Sequence, residues 1–144
     1  MKNILFSLIF LISLPFAANA EDEDIVISKE WARPILIAGR PGGAYFLIEN
    51  KGNEDDKLIS LSSSISPRVE MHEHTMKDGV MKMSKVEAIE VSAGGSTELK
   101  PGGYHIMLFD TANKYGVGDE IDLKLNFEKS GTIDATVKVL AKQP

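Results

Sequence analysis

Apolar and polar positions alternate along much of this chain with a period of two. Ile121, Leu123, Leu125 and Phe127 are separated by polar or charged residues, and after Lys129-Ser130-Gly131 the alternation resumes at Ile133, Ala135, Val137 and Val139. Two such runs across a short glycine-containing turn predict an antiparallel hairpin with one buried face. Ala44 to Ile48 and Tyr104 to Phe109 are almost continuously apolar, which predicts central strands buried on both sides. Further short strands are predicted at Ile25–Ser28, Lys57–Ser62, Arg68–Thr75, Val80–Val86 and Thr97–Lys100. Turn residues fall between the runs, at Gly42-Gly43, Gly52-Asn53, Asp78-Gly79, Gly94-Gly95 and Pro101-Gly102-Gly103. No segment carries the 3.6-residue period of a helix. The expectation is an all-β chain, a β-sandwich or barrel in a single domain. Its longest loop, Arg33 to Gly42, either shields a site or covers one end of the sandwich.

The start of the chain stands apart from this pattern. Lys2 is followed by an almost wholly apolar stretch from Ile4 to Phe16 and by the small-x-small sequence Ala18-Asn19-Ala20. These features predict a cleaved secretory signal peptide over residues 1–20, with the folded domain at 21–144. The apolar stretch is short for a membrane span, which needs about 20 residues, so no span is expected after cleavage. With no cysteine in the chain, lipid attachment at the new N-terminus is not expected either. Secretion follows from this reading.

Charge excludes one class of partner. Sixteen Lys and Arg against 21 Asp and Glu give a formal net charge of −5, with no basic footprint for nucleic acid. Glu21-Asp22-Glu23-Asp24 reads as a solvated acidic tail.

The candidate chemistry is concentrated in one segment. All three histidines (His72, His74, His105) lie between Met71 and Met107, together with every methionine except Met1: Met71, Met76, Met81, Met83 and Met107. Thioethers select Cu(I), whereas imidazole suits several transition metals. Without cysteine, a mixed His/Met cluster reads first as a Cu(I) site. If Asp78-Gly79 is a two-residue hairpin turn, Met76 faces Met81, His74 faces Met83 and His72 faces Lys85. Alternation along the strands then puts His72, His74, Met76, Met81 and Met83 on one sheet face and Met71 on the other. His105 and Met107, two residues apart, share a face of another strand. Taken singly, each has a plain structural reading. Met107 serves equally well as a core filler, Met76 as an exposed residue beside a turn, and His74 as a solvent-facing polar side chain. Glu70 and Glu73 read as solvated strand residues. The joint confinement of these donors is what a packing account leaves unexplained.

The spacing His72-x10-Met83-x21-His105-x-Met107 resembles the signature of the periplasmic copper chaperones of the PCuAC family, which serve assembly of the CuA centre of cytochrome oxidase. Trp31-Ala32-Arg33-Pro34, the stretch from Gly42 to Gly52, Met71 to Met83 and Leu99 to Asp110 also resemble that family's motifs. The resemblance implies a cupredoxin-like Greek-key sandwich and Cu(I) ligation by His72, Met83, His105 and Met107. Met71 is a possible additional ligand because the family motif allows a further methionine there, and His74 is another because the hairpin construction sets it opposite Met83. It also implies cytochrome c oxidase subunit II and a Sco-like thioredoxin-fold protein as partners, with the chain acting as a monomer. The His- and Met-rich C-terminal tail of some members has no counterpart in Val139-Leu140-Ala141-Lys142-Gln143-Pro144.

A neutral His2Met2 set suits a monovalent d10 ion, whereas zinc sites use Cys, His or carboxylate rather than thioether. The expected function is a copper carrier, not an enzyme. A copper redox or electron-transfer protein is the alternative, although the cysteine of a blue-copper site is missing. A purely structural sandwich module would leave the clustered histidines without a purpose.

Overall fold

The computed structural model describes residues 23–144, so the expected signal segment lies outside the described residues. Ten strands follow one another: β1 (Ile25–Ala32), β2 (Gly42–Asn50), β3 (Asp56–Ser62), β4 (Arg68–Lys77), β5 (Val80–Val86), β6 (Ile89–Val91), β7 (Ser96–Glu98), β8 (Tyr104–Phe109), β9 (Glu120–Phe127) and β10 (Gly131–Val139). The all-β expectation is met. Among the described residues no helix is long and apolar enough to cross a membrane.

The strands form one ladder in the order β5-β4-β8-β2-β1-β10-β9-β3-β6, with β7 also paired to β2. All pairings are antiparallel except β1 with β10. Chain connectivity shows that this ladder cannot lie flat. Its two ends, β5 and β6, are consecutive strands joined only by Glu87 and Ala88. In a flat sheet eight steps of about 4.8 Å each would separate them, far beyond the reach of two linking residues at about 3.5 Å apiece. The sheet therefore curls over itself into the cupredoxin-like sandwich, and β2–β3, β3–β4, β5–β6, β6–β7 and β8–β9 are the connections that cross between its halves. The space enclosed is filled by a single apolar cluster drawn from both halves, including Phe46, Ile48, Met71, Ile106 and Leu108 from one and Leu58, Ile89, Leu123, Leu125 and Val137 from the other.

Period-2 alternation accounts for the β9–β10 hairpin: Ile121, Leu123, Leu125 and Phe127 are all buried, in a ladder that runs from Gly131↔Phe127 to Lys138↔Glu120. Asp56 braces the turn of that hairpin. Its carboxylate accepts hydrogen bonds from the backbone N–H groups of Lys57, Lys129 and Ser130 and from the Ser130 hydroxyl, at 2.7–3.0 Å.

Three local features differ from expectation. Strand β1 continues past Ser28 because Lys29 takes a positive φ of 54° and the register shifts between Ser28 and Trp31, a bulge that lets pairing resume. Gly42 and Gly43 lie within β2 and not in a turn. A Cβ at Gly42 would come within 2.5 Å of Ile35 Cδ1, so glycine lets the preceding loop pack against the strand. Three-residue β6 is too short for its alternation to stand out. The loop from Arg33 to Gly42 closes an end of the sandwich: Ile35 is buried and bridges to Tyr115, while Leu36 and Ile37 are exposed.

Candidate metal centre

Strands β4, β5 and β8 carry the predicted donors. The hairpin between β4 and β5 turns at Asp78-Gly79, both residues having positive φ (53° and 75°), as a type I′ turn requires. Lys77 is accordingly paired with Val80, Met76 with Met81, His74 with Met83 and His72 with Lys85. The register built from the turn alone is the register observed. On the other side of β4, His72 is directly opposite His105, Glu70 opposite Met107 and Met71 opposite Ile106.

Opposed residues of an antiparallel pair share a face, so one face carries His72, His74, His105 and Met107, with Met83 one strand further out. The rings of His72 and His105 have their centroids 5.9 Å apart, and His74 stacks on His105 at 4.7 Å with 26° between the planes. His72 and His105 are buried, at 8% and 3% exposure, whereas Met83 is 47% exposed. Met83 lies straight across from His74 and only diagonally from His72. Met71 is not part of this group. Alternation turns it to the opposite face, where it is buried in the apolar core. The possible additional methionine of the family motif is thus directed away from the histidines in this chain.

Hydrogen bonds settle which ring nitrogens are free. His72 Nε2–H donates to Glu70 Oε2 at 2.8 Å, and His105 Nδ1–H donates to the Gly103 carbonyl at 3.0 Å. That leaves a lone pair on Nδ1 of His72 and on Nε2 of His105. Among the described residues, Nδ1 of His72 and Nδ1 of His74 are buried atoms with no hydrogen-bond partner. A buried polar atom without a partner is costly, and a lone pair presented to an incoming cation is one reason to keep it. Two rings that hold one ion, each at about 2 Å, have centres roughly 5–6 Å apart, which the His72–His105 spacing allows.

Glu70, expected to be solvated, is instead tied into the group. Its side chain is 16% exposed and also accepts from Arg68 Nη1 at 3.1 Å. The Arg68 guanidinium in turn lies 3.8 Å from the centroid of the Phe109 ring. The His72 N–H and then Arg68 hold the Glu70 carboxyl below the usual carboxylate range, against the opposing effect of burial. The alternation that puts Glu70 and His72 on one face is legible in the sequence; the burial that makes their contact strong is not. Burial pushes the His105 imidazole below its ordinary pKa, the Gly103 carbonyl opposes this, and His74, His72 and Arg33 add to the lowering. His105 is therefore neutral, the form that ligates. Gly43, opposite Met107, has no side chain, and a Cβ there would lie 3.0 Å from the Tyr45 hydroxyl. Tyr45 stacks on Trp31 at 4.5 Å and carries the Arg33 guanidinium 5.9 Å from its ring centroid.

A surface cavity of about 680 Å³ lies elsewhere, lined by Ser62–Ser64 and by residues of β9 and β10. It holds no soft donor.

Comparison with known proteins agrees with this architecture. The chain is 31% identical over 120 residues to the uncharacterized protein RP573 of Rickettsia prowazekii, a match covering 81% of this chain and 66% of that protein's length. It is similar to the copper-bound PCuAC domain from PmoF2, with a TM-score of 0.70 and 26% identity over 83% of this chain and 94% of that one. It shares its fold with Cu(I)-DR1885 from Deinococcus radiodurans, with a TM-score of 0.58 and 21% identity over 88% and 86% of the two chains. Residues 25–139 match the family described as "Putative lipoprotein LpqE-like". The chain belongs to the LpqE-like family and is a PCuAC-family protein.

Proposed function

We propose that this protein is a periplasmic Cu(I) carrier that holds one ion between β4 and β8 and delivers it during assembly of the CuA centre of cytochrome oxidase. The observation that carries the reading is the pair of buried imidazoles, His72 and His105, paired across two strands, each with one ring nitrogen hydrogen-bonded and the other left free. Met107, beside them on β8, and Met83, at the exposed margin on β5, would complete a neutral His2Met2 set suited to Cu(I). The copper-bound state of the PmoF2 domain and the Cu(I) state of DR1885 support the choice of cargo. The lipoprotein description of the family supports an extracytoplasmic site. An oxidase subunit II and a Sco-like protein remain the proposed partners.

The arrangement favours transfer over turnover. Two ligands are buried and fixed by hydrogen bonds, and one is half exposed on an edge strand, so an incoming donor from a partner can displace Met83 first. Ligand exchange of this kind needs no general acid, base or nucleophile. Anaerobic competition titrations with Cu(I) and Zn(II) test the reading: one tight Cu(I) per chain and weak Zn(II) binding are expected. Equal affinity for zinc would refute the assignment, and oxygen-dependent turnover by the copper-loaded protein would make it a redox enzyme instead.

A further inference from the structure

We propose that the tip of the β4–β5 hairpin is a second, weaker Cu(I) site, at which the thioethers of Met76 and Met81 capture the ion and pass it inward. The proposal rests on the Cu(I)-carrier reading and adds the route by which the cargo arrives.

Soft donors form an unbroken ladder on one face of this hairpin. Met76 is paired with Met81 next to the turn, and His74 with Met83 one step inward. His72 comes next along β4, opposite His105 on β8. Exposure falls along the same path, from 65% at Met76 and 56% at Met81 to 47% at Met83, then 8% at His72 and 3% at His105. Methionine is among the residues most often buried, and at the tip these side chains contribute nothing to the core. Directly opposed Cβ atoms lie about 5 Å apart. Unbranched, flexible thioethers on such a pair can close on a single soft ion. Of the nearby lysines, Lys77 and Lys82 alternate onto the other face, while Lys85, paired with His72, shares the thioether face at its inner end, away from the tip.

The step between the two sites is also furnished. Nδ1 of His74 is a buried atom without a hydrogen-bond partner, and its ring stacks on His105. An ion held by Met76 and Met81 would exchange one Cu–S bond for a bond to Met83 or His74, then exchange again for His72 and His105. Each bond to a tip thioether breaks as a bond to an inner donor forms, the remaining inner donors add once the ion lies between β4 and β8, and copper stays Cu(I) throughout. Affinity rises inward because imidazole nitrogens replace thioethers and the ligand count grows. Two thioethers alone hold the ion weakly, as a capture point must if it is to release inward.

Methionine methyl NMR during an anaerobic Cu(I) titration of the protein tests this. The first equivalent is expected to shift the Met83 and Met107 methyls, and further Cu(I) to shift those of Met76 and Met81 with weaker, saturable binding. A Met76→Leu/Met81→Leu double variant, which keeps surface apolar groups in place, should lose the second phase. It should also load more slowly from a Cu(I)–chelator complex while keeping the tight affinity within about twofold, well short of the tenfold that about 1.4 kcal/mol represents. Met76 and Met81 methyls that stay still under excess Cu(I) overturn the proposal, as does a double variant that loads at the wild-type rate. If the tight first equivalent is itself missing, the carrier reading fails; if it is present and the second phase is not, this inference alone fails.

Discussion

Replacing Glu70 with alanine removes the acceptor that keeps His72 in one tautomer. The bond from His72 Nε2 is 2.8 Å long and joins side chains that are 11% and 16% exposed, so solvent has little access to replace the lost carboxylate. A hydrogen bond to a charged group contributes about 1.5–3 kcal/mol. Without it the imidazole can turn, or carry its proton on Nδ1, and the free lone pair between β4 and β8 is lost for part of the population. A tenfold change in affinity corresponds to about 1.4 kcal/mol. The bond energy therefore translates into a Cu(I) affinity about 10- to 100-fold lower, the range found when groups supporting a metal ligand are removed. The assay is anaerobic competition against a chromophoric Cu(I) chelator, paired with nitrogen-15 NMR of the imidazoles in the metal-free protein. Wild-type His72 should carry its proton on Nε2 and His105 on Nδ1. Glu70→Gln, whose side-chain carbonyl still accepts from Nε2, should keep that tautomer and most of the affinity. An unchanged affinity in Glu70→Ala, or a wild-type His72 protonated on Nδ1, would refute the reasoning.

Other outcomes follow from the same geometry. His105→Ala and Met83→Ala should each weaken tight Cu(I) binding far more than Met76→Ala or His74→Ala; a loss in His74→Ala as large as that in Met83→Ala would put His74 among the tight ligands. Cu(I) affinity should fall in acid, because protons compete for the imidazoles. Since burial lowers the His105 pKa, His105 should stay available below the ordinary imidazole value of about 6.5, and a flat affinity profile through the acid range would remove both histidines from the ligand set. Asp56→Ala should destabilise the fold by about 1–3 kcal/mol in urea unfolding, because it strips partners from part-buried donors at the β9–β10 turn. Burial opposes ionisation of Asp56, but the hydrogen bonds from Ser130, Lys129 and Lys57 outweigh it and leave the pKa lowered. This contribution is therefore complete above the unfolded aspartate value of about 3.9 and is lost as pH falls through the lower folded value; equal acid sensitivity in wild type and variant would contradict it.

Local chemistry in the sequence was enough to locate every strand but β6 and to set one hairpin in full register. Strict alternation marks β9 and β10, since a period of two leaves only one face to bury. At Asp78-Gly79 the turn itself requires two positive φ values, so the pairings of His74 with Met83 and Met76 with Met81 follow from residues adjacent in the chain. The location of the donors within a single segment needed no structure at all. The site needed the tertiary fold. His72 meets His105 because β8 pairs with β4, although β5, β6 and β7 intervene in the chain, and that pairing depends on how the whole sheet closes. The same closure buries one face of β4 in the core and takes Met71 with it. Burial, a property of the assembled layers, also converts Glu70 from a solvated strand residue into the fixed acceptor of His72. Alternation can state which side chains share a face, but only the packed sheet decides which of those faces excludes water.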